Sequence, residues 1–174
     1  MMVQLGKFSG LQISARPSAL AGTLLLWALF SVATLWIFRI PVAASLLAGL
    51  IASGLHWISE LFHQLGHAWA ARRTGYPMVG IQLWGLLSTS LYPSGEPPLP
   101  ASIHIRRALG GPSASFLLAL IGAIIAVILF PMGGIARLLA VFFFLENLLV
   151  FTLGAFIPLG FNDGSTLLTW WGKR

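Results

Sequence analysis

Four apolar runs, each long enough to cross a bilayer, constrain this chain more than any other feature. They extend from about Ser18 to Phe38, Val42 to Ala71, Leu109 to Phe130 and Ile135 to Pro158. A helical crossing needs roughly 20 predominantly apolar residues. Within hydrocarbon no water is available to the backbone, so each run must satisfy its own N–H and C=O groups as a helix. The expected fold is therefore an all-α polytopic membrane protein of about four transmembrane helices. Composition agrees: 57% of the 174 residues are hydrophobic and 8% are charged, where a soluble domain carries about a quarter charged residues.

Between the second and third runs the pattern changes. Met78, Gly80 to Trp84 and Leu86 to Tyr92 favour β structure, and Ser94-Gly95-Glu96-Pro97-Pro98 is turn chemistry. This predicts a small interfacial β element of one or two strands. Met1 to Pro17 is mixed in character and does not read as a short cleavable signal. Ser165 to Trp171 reads as a short amphipathic or re-entrant tail. The chain is expected to form a single membrane-embedded domain over residues 1–174.

Net charge is +6, but the ten Lys and Arg residues stand singly or in pairs between apolar runs rather than in a stripe. That distribution signals topology and contact with anionic membrane lipid, not nucleic acid. With a cytoplasmic N-terminus, the inner side holds Lys7, Arg16, Arg72, Arg73, Arg106, Arg107, Lys173 and Arg174, and the outer side holds Arg39 and Arg137. The bias predicts a multi-pass protein with both termini cytoplasmic. With no cysteine in the chain, disulfides and thiolate metal sites are excluded.

The second run contains His63-Gln64-Leu65-Gly66-His67. Residues four apart on a helix share a face, so two imidazoles at this spacing can close on one metal ion, the geometry of H-E-x-x-H metallopeptidases. Two buried histidines hydrogen-bonded within a bundle are the plainer reading. Ionisable groups inside a membrane are costly and usually functional, which favours metal binding. The candidates for a third ligand are Glu60, Glu96, Glu146 and Asp163. Asp163 follows the fourth run, which ends on the same side as the second, so His67 and Asp163 are expected at a common depth. Asn162-Asp163-Gly164 is also strong turn chemistry, and the two roles are compatible. Two histidines and a carboxylate leave one position of a Zn²⁺ ion open, as a catalytic site requires.

His63-x-x-x-His67 followed by Ala68 and Ala70, Gly111-Pro112-Ser113-Ala114-Ser115 at the head of the third run, and Pro158 with Asp163-Gly164 together resemble the motifs of the site-2 protease family. The resemblance covers about Val42 to Leu168. It implies an intramembrane zinc metallopeptidase whose substrates are transmembrane proteins or peptides, with His63, His67 and Asp163 as the metal ligands. Ser115 and Ala155 stand where that family usually has asparagine.

Gln64 stands where the catalytic glutamate is expected. That glutamate takes a proton from the attacking water and passes it to the leaving amine; an amide cannot. General acid–base catalysis contributes about 10²–10⁴-fold, so peptide hydrolysis by this chain is expected to be weak or absent. Three readings of Gln64 stand open: a non-proteolytic relative, a metallopeptidase with a different base, or a substitution that traps an inactive state. Glu60 shares the liganding face but lies one turn toward the N-terminus, and helical side chains lean further that way. It is a candidate substitute base, a partner orienting His63, or a carboxylate neutralised by protonation or by His56. Glu146 with Asn147 reads as a polar contact within the bundle. Two further functions are considered: a non-proteolytic protein that binds transmembrane helices in the same groove, and a small metal or ion carrier. Carriers of that kind tend to show paired repeats, and none is apparent here.

Overall fold

The computed structural model describes residues 2–173. Four helices are long and apolar enough to cross a membrane: α1 (Pro17–Trp36), α2 (Val42–Arg73), α3 (Ala101–Leu129) and a fourth span that begins as α4 (Gly134–Leu145). The fourth span continues through a π-helical segment, Glu146–Leu153, and ends in a 3₁₀ turn at Gly154–Phe156. A short helix, α5 (Asp163–Trp170), closes the chain. The outer surface of the bundle is apolar, with Leu24, Leu50, Val127, Ile128 and Leu153 all exposed. Such a surface is stable only against lipid.

The β element is larger than the sequence suggests. Strands β3 (Gly80–Trp84) and β4 (Leu87–Leu91) form the expected hairpin between α2 and α3. Two more strands, β1 (Val3–Phe8) and β2 (Leu11–Ala15), precede α1, and β2 pairs in parallel with β3 to give the order β1-β2-β3-β4. Leu11, Ile81 and Leu83 of this sheet pack on Ala68 and Ala71 of α2 and Ala19 of α1. The N-terminal hairpin therefore lies at the same end of the bundle as the link between α2 and α3.

Small residues set the helix spacing. At Gly66 of α2 an added Cβ would meet the Gly110 carbonyl oxygen of α3 at 2.3 Å, and at Gly110 it would meet the Gly66 carbonyl oxygen at 2.5 Å. Backbone contact of this kind is how membrane helices pack without a hydrophobic drive. α3 also begins earlier than its apolar run, at Ala101. Its added first turns carry His104, stacked on Trp170 of α5 with centroids 4.2 Å apart. That stack ties the C-terminal helix to the sheet end of the bundle.

Candidate metal centre

α2 is 32 residues long, about 48 Å, against a hydrocarbon core of about 30 Å. Its position beside α1 is marked by the Trp57 indole, which donates to the Thr23 hydroxyl at 2.9 Å. His63 lies six residues beyond Trp57, and Pro17 lies six residues before Thr23 in the antiparallel neighbour. The histidine motif is therefore level with the start of α1, near one end of the spans rather than at their middle.

His63 and His67 are both buried, and their Nε2 atoms are 3.0 Å apart. Asp163, the first residue of α5, reaches them from the other side. Its Oδ2 lies 3.2 Å from His63 Nε2, and its Oδ1 lies 3.4 Å from His67 Nε2. Donors about 2.0–2.1 Å from a tetrahedral ion stand ~3.3 Å apart, so the three separations suit one cation. Two imidazole nitrogens facing each other at 3.0 Å need a proton or a cation between them.

The outer nitrogens explain the ring orientations. His67 Nδ1 donates to the Arg107 carbonyl at 2.8 Å, leaving the Nε2 lone pair free to ligate. His63 Nδ1 lies 2.9 Å from the hydroxyl of fully buried Ser115. Both partners are on α3, the helix that Gly66 and Gly110 bring close. Gly111 completes the fit, because a Cβ there would lie 2.3 Å from His67 Nε2 and 2.4 Å from His63 Nε2. Only glycine leaves the ligand nitrogens room.

Asp163 is positioned by its neighbours. Asn162 caps α5, its side-chain Oδ1 accepting from the Ser165 N–H at 3.3 Å and from the Leu159 N–H at 3.0 Å. A Cβ on Gly164 would strike the Phe156 carbonyl oxygen at 2.3 Å. The Asn-Asp-Gly turn thus also brings Asp163 to the two histidines. Burial works to raise the Asp163 pKa, but the hydrogen bonds from His63 and His67 outweigh it. The carboxyl sits below its usual value and is ionised.

The group faces a cavity of about 860 Å³ whose walls are α2, β4, the π-helical segment and the start of α5. Gln64 and Glu60 also line it. Gln64 accepts from the Ser90 hydroxyl at 2.6 Å through Oε1, so its amide group remains as a donor. Glu60 makes its hydrogen bonds to the hairpin and none to His63 among the described residues. Its Oε1 accepts from the backbone N–H of Ser88 at 2.6 Å and from the Ser88 hydroxyl. The one-turn offset along α2 carries it to the hairpin rather than to the ligands. His56 lies 2.7 Å from Glu146 Oε1 through Nδ1 and donates from Nε2 to the Leu86 carbonyl at 2.9 Å. Asn147 donates to Ser59 at 2.9 Å, so Glu146 and Asn147 both face the bundle. Ser115 and the hairpin serines were missed as partners because single serines in apolar sequence carry no signal.

No family model matches the sequence, and no curated protein matches it. Among solved structures, the site-2 protease from Methanocaldococcus jannaschii is similar, with a TM-score of 0.65 and 18% identity, over 97% of this chain and 70% of that one. The chain thus has a site-2-protease-like fold.

Proposed function

We propose that this chain is a zinc-binding intramembrane metallopeptidase-like protein that acts on membrane-spanning segments, with proteolysis suppressed by Gln64. The convergence of His63 Nε2, His67 Nε2 and an Asp163 oxygen, all within 4.8 Å of one another and open to one cavity, carries the reading. Zn²⁺ held there would supply a Lewis acid that polarises a peptide carbonyl and lowers the pKa of water. The chain's own residues do the rest. The Arg107 carbonyl and Ser115 hold the imidazoles, Asp163 contributes negative charge, and the apolar walls at Leu149, Val150 and Phe151 accept a hydrophobic segment.

Gln64 can donate a hydrogen bond into the cavity but cannot take a proton. This favours the second reading, a protein that captures transmembrane segments without cutting them. The positive charges support a cytoplasmic placement of the sheet end, and with it of both termini.

The test is to purify the chain in mild detergent and compare cleavage of a model transmembrane peptide by it and by Gln64→Glu. Cleavage by the glutamate variant should exceed the parent by about 10²–10⁴-fold. Equal rates would show that Gln64 is not the missing base. No cleavage by either zinc-loaded form would remove the protease reading.

A further inference from the structure

α2 carries a second pattern, separate from the histidine pair. His56, Glu60 and Gln64 are spaced by four residues, and their hairpin partners, Leu86, Ser88 and Ser90, by two. The contacts are His56 Nε2–H to the Leu86 carbonyl at 2.9 Å, the Ser88 N–H to Glu60 at 2.6 Å, and the Ser90 hydroxyl to Gln64 at 2.6 Å. Four helical residues rise about 6.0 Å and two strand residues about 6.7 Å. The two elements can therefore run side by side for three rungs without losing step.

The location makes these rungs consequential. β4 is an edge strand, paired with β3 alone, and Leu87 to Ser90 form a wall of the cavity. Ser88 directs its N–H to Glu60 and so away from β3, and strand alternation turns the backbone of Ser90 the same way. An edge strand among spans needs its polar groups satisfied by protein, and Glu60 of α2 supplies the acceptor for the Ser88 N–H. The outermost rung is itself braced, since Glu146 from the fourth span holds the other nitrogen of His56 at 2.7 Å.

We propose that His56 and Glu60 are positioning residues that lock β4 in one register against α2, and hence against His63 and His67 on the same helix. Glu60 is then a strand anchor, not a substitute for the missing base. The functional consequence rests on the proteolytic reading above: whatever occupies the cavity meets a wall held at a fixed offset from the metal ligands. The locking itself does not depend on that reading.

The test measures backbone hydrogen exchange over residues 86–91 and zinc content in the full chain in detergent, for Glu60→Ala, Glu60→Gln, His56→Ala and Ser88→Ala. Glu60→Ala and His56→Ala should each speed exchange of the segment by about tenfold, the worth of one buried hydrogen bond. Glu60→Gln retains an acceptor and should restore most of the protection. Ser88→Ala, the variant least able to disturb folding, should give a smaller increase. Zinc per chain should stay at the parent level throughout. In the Gln64→Glu background, Glu60→Ala should raise KM for a transmembrane peptide more than it lowers kcat. Unchanged exchange in both alanine variants overturns the proposal, and so does loss of zinc in Glu60→Ala. A collapse of kcat with exchange unaltered would make Glu60 a proton acceptor and overturn it equally. If the Gln64→Glu protein cuts nothing, the proteolytic reading fails, while exchange and zinc content still decide the register lock.

Discussion

Ser115 shows how much a single residue in this site depends on its neighbours. Nothing in Gly111-Pro112-Ser113-Ala114-Ser115 says that the last serine will face an imidazole, yet it is fully buried and 2.9 Å from His63 Nδ1. Partners of this kind fix the ring and tune its basicity, and their loss typically costs 10–100-fold in metal affinity. Ser115→Ala should weaken zinc binding by that order in a chelator competition, while Ser113→Ala, on the exposed side of α3, should leave it unchanged. The three residues that converge were legible because helical spacing is enough to pair His63 with His67, and acidic residues are too few to hide Asp163. Glu60 was legible as a polar residue on the right face but not in its role, because the partner strand is set by tertiary packing.

At the scale of elements, the four spans could be read from apolar length alone, because an uninterrupted apolar run of about 20 residues satisfies its own backbone in a bilayer only as a helix. The first hairpin could not. Every residue of β1 is exposed, so no alternation of buried and exposed side chains marks it. Its turn uses Ser9-Gly10, both with positive φ, where Asn-Gly would have been the recognisable signal. The π-helical segment after Leu145 likewise has the composition of an ordinary span. The link between β4 and α3 depends on charge. Arg107, buried at the head of α3, donates to Glu96 at 2.9 Å and again through its second nitrogen, and lies 4.1 Å from the Tyr92 ring centre. The Arg107 hydrogen bonds hold the Glu96 pKa below its usual value. A carboxylate depressed in the folded state stabilises above its unfolded pKa and loses that contribution as pH falls through the folded one. Thermal stability in detergent should therefore drop on acidification below the usual carboxylate range. Glu96→Gln should be less stable at neutral pH and lose less over the same interval, which a pair of pH–melting series would check.

For the whole molecule, the sheet, the histidine motif and α5 gather at one end of the bundle, and the opposite end carries only short connections. The cytoplasmic placement proposed for the gathered end rests on the positive-inside bias. Because the chain has no cysteine, single cysteines can report on this directly. A cysteine at Ser9 or Thr169 should react with a membrane-impermeant maleimide only after cells are opened, and one at Gly133 should react in intact cells. The reverse pattern would invert the topology without altering the site.

His63, His67 and Asp163 are proposed together to hold one cation. The most direct measurement is zinc bound per chain after equilibration and desalting in mild detergent, for the parent, His67→Ala and Asp163→Ala, each checked for folding by circular dichroism. One zinc per parent chain is expected, and near-background zinc in both variants. A folded parent that retains no zinc, or an Asp163→Ala chain that binds it as well as the parent, would contradict it.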